Sequence, residues 1–247
     1  MIEFQNVTIA YGDKASRVEI AKHFSLNIIK NDFTCILGPS GSGKTSLLNV
    51  IAGFQQQLEG TVLVGGALAS DSAIRLTYVF QGHNIFPWKT VRQNILIGLA
   101  SHTLSTSGKN LLVEKSAKDV GLIEQLDHYP ATLSGGMKQR VGIARALVGN
   151  PEVILMDEPL ASLDALTALK TRELLKRVCR GRSVTIVYVT HNIDEALELG
   201  DRILVISHSP IKTIIDKRLS ETIKNNDVAM AKLKRSIYGA LKSSMNE

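Results

Sequence analysis

The chain has 247 residues, 44% of them hydrophobic and 21% charged, close to globular averages, which excludes disordered, collagenous and coiled-coil classes. A folded chain of this length hides roughly 70–75% of its unfolded surface, so it needs neither disulfides nor a structural metal, and two cysteines, Cys35 and Cys179, with no C-x-x-C exclude a zinc ribbon. Of the net charge of +6, most falls in residues 211–247, where eight Lys and Arg face four Asp and Glu; this run lacks the interleaved aromatic platform that nucleic-acid stacking requires, so it reads as the solvated face of a terminal helix.

The first residues carry no basic n-region and no apolar h-region, and no apolar run approaches the ~18 residues of a membrane span. A soluble, cytosolic chain without a signal peptide is therefore expected. Phe4, Val7 and Ile9, then Leu26 and Ile28, alternate with polar residues and predict an antiparallel β edge. Residues 33–37 form a short continuous apolar run, as strands covered on both faces do. Leu47, Leu48 and Ile51 then mark a helix that ends at Gly53. Residues 76–80 predict a further strand. From Pro87 to Asn150 the pattern turns helical, and Asn150-Pro151 closes it with a turn. Strand-sized apolar runs return at 153–156, 184–189 and 203–206. The alternation predicts an α/β fold with a mostly parallel sheet. Its expected division is a core of residues 1–86 and 151–210, a helical insert at 87–150, and a helical tail at 211–247.

Between the run at 33–37 and its helix stands Gly38-Pro39-Ser40-Gly41-Ser42-Gly43-Lys44-Thr45, a match to G-x-x-x-x-G-K-[ST]. The glycines let the backbone curl until its N–H groups face phosphate oxygens. Lys44 brings a mobile charge to the β- and γ-phosphates, Thr45 a hydroxyl ligand for Mg²⁺, and the helix start its dipole. The run at 153–156 is followed by Asp157, Glu158 and Pro159. Ligands of parallel sheets sit beyond the carboxyl ends of strands. Asp157 is therefore placed to hold Mg²⁺ through water, and Glu158 to polarise an attacking water. Ser134-Gly135-Gly136 opens another helical pattern and offers a hydroxyl, bare amides and a dipole, a second anion site.

Together these stretches make the sequence resemble the nucleotide-binding subunit of an ABC transporter over nearly its whole length. Gly38 to Thr45 is similar to Walker A, and Leu133 to Arg140 to the family signature, with Met137 where Gln is commoner. Asp157 and Glu158 match Walker B and the catalytic glutamate, Ser162-Leu163-Asp164 the D-loop, Gln81 the Q-loop glutamine, and His191 the switch histidine. Tyr11 stands where the family places a ring on adenine. The resemblance implies a P-loop NTPase core of RecA-like type that binds and hydrolyses ATP with Mg²⁺. It assigns catalysis to Glu158, His191, Lys44 and Gln81. Nucleotide contacts fall to Tyr11, residues Gly38 to Thr45, Ser46, Gln81, Ser134, Gly135, Gly136 and Asp164, and metal contacts to Thr45, Gln81 and Asp157. It further implies a head-to-tail homodimer with ATP held between Lys44 of one chain and Ser134 of the other. Membrane permease subunits, and through them an extracytoplasmic substrate-binding protein, are the implied partners, with no nucleic acid. The implied location is the cytoplasmic face of the membrane.

The stretch Asn84-Ile85-Phe86-Pro87-Trp88-Lys89-Thr90-Val91-Arg92-Gln93-Asn94-Ile95 is similar to that of importers in the nitrate, sulfonate and taurine group; pyrimidine and thiamin-precursor importers have similar subunits, which leaves the cargo open. An exporter or lipoprotein-type machine is the alternative. A non-transport ABC ATPase fits less, since only about 90 residues separate Walker A from the signature. Trp88 has two readings: a core aromatic, or an exposed anchor for the membrane subunit.

Overall fold

The computed structural model describes residues 1–11, 18–71, 73–82, 84–179, 182–206, 211, 214–220, 223 and 226–243. In chain order the elements are β1 (Ile2–Tyr11), β2 (Val18–Ile28), β3 (Phe33–Leu37), α1 (Lys44–Ile51), β4 (Glu59–Val64), β5 (Ala67–Leu68), β6 (Leu76–Val79), α2 (Val91–Leu96), α3 (Thr106–Asp119) and α4 (Gly135–Leu147). Then come β7 (Val153–Asp157), α5 (Ala165–Cys179), β8 (Thr185–Thr190), α6 (Ile193–Leu199), β9 (Arg202–Ile206), β10 (Ile214–Arg218) and α7 (Asp227–Ser243). They fall into two compact units, one of Met1–Ile74 with Thr185–Glu247, the other of Arg75–Val184.

In the first unit, β1 is central to an antiparallel sheet of order β2-β1-β4-β5. Its inward set is Ile2 and Phe4, then Val7 and Ile9, all buried. The change from even to odd positions has a local cause. Asn6 adopts φ 49°, and the register with β2 shifts between Phe4 and Val7, so one extra residue turns the strand's apolar side back to the core. These strands thus stand in a sheet of their own, not at the edge of the parallel one.

Strand β3 lies between β9 and β8, parallel to both. All five of its residues are buried, which is why four of them are apolar and Thr34 is the one polar member. Fully burying an Ile or Leu such as Ile36 or Leu37 stabilises by about 1.5–3 kcal/mol. Helix α1 stops as expected: Gly53, at φ 72°, donates its N–H to Val50, and Phe54 donates to Asn49. This is a Schellman closure with glycine at C′.

The tail corrects an expectation. Residues 211–247 are not wholly helical: β10 pairs antiparallel with β9, Ile214 opposite Ile206, and Ile211 bridges to Ala21. β9 would otherwise leave a row of backbone groups unpaired, and β10 satisfies them. Arg202 on β9 and Asp216 on β10 close the pair with a hydrogen bond of 2.8 Å. α7 is helical as predicted, anchored by the buried Ile237 and by Lys234 on Asp194 of α6.

In the second unit β6 runs parallel to β7, and the helices stack with Val91, Ile95, Leu99, Val113, Val141 and Leu147 buried. Thr90 caps α2 reciprocally with Gln93, and Ser105 and Ser134 cap α3 and α4. Trp88 is 70% exposed, which overturns its reading as a core aromatic. Among the described residues no helix is long and apolar enough to cross a membrane.

Candidate active site

The phosphate loop joins β3 to α1. Its curl depends on Gly41 and Gly43, at φ 81° and 87°, a region costly for any residue with a Cβ. Gly43 is the N-cap of α1 and supplies no side-chain cap, and the helix start directs its dipole at the loop. Gly38 is required by space: a Cβ there would lie 2.6 Å from the Ile206 carbonyl. The Lys44 ammonium is buried to 4% exposure and donates to the Pro39 carbonyl at 2.7 Å. The Ser42 hydroxyl is buried with no hydrogen-bond partner among the described residues. A loop that buries a cation and an unanswered hydroxyl at a helix start suits a polyanion.

The same unit brings other expected residues to this loop. Tyr11 ends β1, is 44% exposed, and accepts a hydrogen bond from Ser46 at 3.4 Å. Its ring is thus tied to the first turn of α1, where Thr45 also stands. The parallel register sets Leu37 opposite Thr190, so Gly38 and His191 leave their strands side by side. Gly38, Pro39, Ser40 and His191 line a cleft of about 620 Å³ together with Tyr238 of α7.

In the second unit Asp157 ends β7, buried to 5% exposure, and accepts a hydrogen bond from the Tyr78 hydroxyl at 3.5 Å. Tyr78 stacks on Phe80 at 4.2 Å between ring centres. Glu158 follows at φ 42°, a left-handed conformation for a residue with a side chain, of the kind that concentrates at functional sites. Val79 pairs with Met156 at the end of the β6–β7 ladder, and Gln81 and Glu158 each stand two residues beyond that pair. Both leave the carboxyl ends of parallel strands.

Ser134 is exposed, and its hydroxyl accepts the Met137 N–H at 3.3 Å, which leaves its own O–H available to a ligand. Gly135 is exposed beside it, whereas Gly136 is buried. A Cβ on Gly136 would meet the Thr167 methyl at 2.2 Å, so this glycine also lets α4 approach α5. Asp164 accepts the Thr167 N–H at 3.0 Å, and the hydrogen bonds of Thr167 hold its carboxyl below the usual range.

Two residues of this region escaped sequence reasoning. Asn94 is fully buried; it accepts the Phe86 N–H at 2.8 Å and donates to the carbonyls of Phe86, Lys89 and Thr90. Arg145 reaches the Asn84 carbonyl. The available signal was Asn94 itself, a polar residue on the apolar face that Val91 and Ile95 define. Cys179 is no nucleophile, its thiol pushed up to about 12 by burial.

Residues 21–161 match the family described as ABC transporter. A nitrate import ATP-binding protein of Synechococcus elongatus is 42% identical over 195 residues, which are 78% of this chain and 30% of that protein. An aliphatic sulfonates import ATP-binding protein of Bacillus cereus is 33% identical over 251 residues, 97% of each chain. A solved ATP-binding cassette, a dimer in a post-hydrolysis state bound to ADP and Pi, is similar at 32% identity with a TM-score of 0.76, over 89% of this chain and 99% of that one.

Proposed function

This chain belongs to the ABC transporter family and is one of its ATP-hydrolysing subunits, and from that membership we propose that it energises uptake of a small oxyanion, of nitrate or sulfonate type, through separate membrane subunits. The observation that carries the reading is the sulfonate importer's subunit, matched over 97% of both chains. The phosphate loop supplies the means. Lys44 and the loop amides hold the β- and γ-phosphates, with Ser40, Ser42 and Ser46 around them and the Tyr11 ring on adenine. Glu158 takes the proton of the attacking water. Gln81 and His191 contact the γ-phosphate end.

Mg²⁺ fits the donors present: the Thr45 hydroxyl, the Asp157 carboxylate and the Gln81 amide are hard oxygen ligands. When bound, it neutralises charge on the phosphate oxygens.

The chain works as a head-to-tail homodimer in which Ser134, Gly135, Gly136 and Asp164 of one copy complete the ATP site of the other. Closure on ATP and release after hydrolysis drive the permease at the cytoplasmic face of the membrane, and a substrate-binding protein delivers the cargo. The helical segment 87–150 carries both the Ser134 end and the Trp88 contact with the permease, while residues 1–86 and 151–210 hold the nucleotide core. Deletion of the gene should abolish growth on nitrate as sole nitrogen source or on aliphatic sulfonates as sole sulfur source. Wild type should restore that growth and Glu158→Gln should not. Unimpaired growth of the deletion strain on both would overturn the import reading, while purified protein would still hydrolyse ATP.

A further inference from the structure

Arg145 lies in the last turn of α4, at the opposite end of the helix from Ser134. Its guanidinium donates to the Asn84 carbonyl at 2.9 Å and stands 5.9 Å from the centre of the Phe86 ring. Burial lowers its pKa, but an arginine stays charged at neutral pH. A desolvated cation is thus directed at a backbone carbonyl and a ring, which are positional partners. The carbonyl belongs to Asn84, at φ 38°, a conformation a surrounding contact must sustain.

The same loop is gripped from another side by Asn94, through its bonds to Phe86, Lys89 and Thr90. The helix end that carries Arg145 is itself fixed. Thr77 of β6 donates to the Ala146 carbonyl at 3.2 Å, and Ser116 of α3 to Ala144 at 2.9 Å. Gly98 packs so closely that a Cβ would lie 2.1 Å from the Arg145 carbonyl. α4 spans 13 residues, about 20 Å of stiff helix. Its two ends are therefore one body.

We propose that Arg145 is a positioning residue that clamps the segment 84–88, which follows Gln81 and carries Trp88, to the helix whose other end is Ser134. Displacement of Ser134 then carries Trp88 with it. The consequence for transport rests on the reading of Ser134 and Gln81 as ATP contacts; the clamp itself does not.

Trp88 is the one tryptophan, so fluorescence excited at the red edge, where tyrosine does not absorb, reports this loop alone. Time-resolved anisotropy of the nucleotide-free chain should show the fast local depolarisation of Trp88 rising about twofold in Arg145→Met, which keeps the packing of the stem and loses charge and donors. The circular dichroism should be unchanged. Arg145→Lys should recover part of the restraint. ATP hydrolysis by Arg145→Met should lose about tenfold in kcat at unchanged KM, as a displaced contact to the reacting phosphate does. Should Arg145→Met not fold, Arg145→Gln, shorter and neutral, takes its place with the same expected rise. A folded Met or Gln variant whose Trp88 depolarises as in wild type overturns the clamp and leaves the ATP site untouched. Conversely, hydrolysis surviving in Lys44→Ala would overturn the site and leave the clamp standing.

Discussion

At the scale of one residue, Lys44 is the test of the proposed ATP site. It is almost fully buried, with its ammonium 2.7 Å from the Pro39 carbonyl, and in that site a phosphate would bring it a negative charge. Lys44→Ala should abolish phosphate release and weaken nucleotide affinity in a binding titration; full hydrolysis would refute the assignment. Glu158→Gln should keep ATP binding and lose at least about 10²-fold in turnover, the usual worth of a general base. On size-exclusion chromatography with ATP it should elute at twice the monomer mass. Asp216 has a different role, in folding. The hydrogen bond from Arg202 holds its carboxyl below the usual value, so the pair stabilises above the unfolded carboxylate pKa of about 3.9 and loses that contribution as pH falls through the folded value. Asp216 is 48% exposed, which limits the effect to about 0.5–1 kcal/mol. Asp216→Asn should lower stability by that amount at pH 7 and by less near pH 2, read by urea denaturation.

Among the elements, α2 and α4 depend on single contacts that can be removed. Asn94 satisfies one backbone donor and three carbonyls from a fully buried position. Asn94→Ala strands them and should cost about 2–3 kcal/mol; a loss under half a kcal/mol would mean the loop repacks without it. Gly136 lets α4 meet α5, and Gly136→Ala would drive a methyl into that of Thr167. The expected cost is about 1–3 kcal/mol of overpacking. Since Thr167→Ser deletes the clashing methyl, the double variant should melt well above Gly136→Ala alone. No such recovery would place the damage elsewhere, at the exposed anion-facing amides.

For the whole molecule, the proposed head-to-tail dimer would place the two glycine-rich helix starts of one chain, at Gly43 and Ser134, in different ATP sites. A mixture of Lys44→Ala and Ser134→Arg chains gives a heterodimer with both lesions in one site and the other site intact. Partial return of nucleotide binding is the expected result, and none, with heterodimers present, would argue against head-to-tail assembly. Trp88 is the matching test on the membrane side. At 70% exposure its removal leaves no core cavity, so Trp88→Ala should melt as wild type and still bind nucleotide while losing affinity for the permease subunits. A fall of about 3–5 kcal/mol, typical of a buried tryptophan, would contradict the exposed position.

The sequence by itself determined the parts whose physics is local. A phosphate cradle needs consecutive amides, so its glycines, lysine and threonine must be contiguous, and 38–45 was legible residue by residue. Gly53 as a helix stop and the strands flanking the loop were legible for the same reason, since propensity and burial act on neighbours in the chain. Tertiary structure alone decided what depends on distant partners. The Asn6 bulge and the pairing of β1 with β4 made a separate antiparallel sheet, because register is chosen by the opposite strand. β10 became a strand only because the edge of β9 offered it hydrogen bonds, which a basic, mixed segment does not announce. Asn94 and Arg145 acquired their roles from carbonyls on a loop that folds back against them. Trp88 is exposed because the packing of its unit leaves that ring outside, and burial is a property of the assembled fold rather than of the residue.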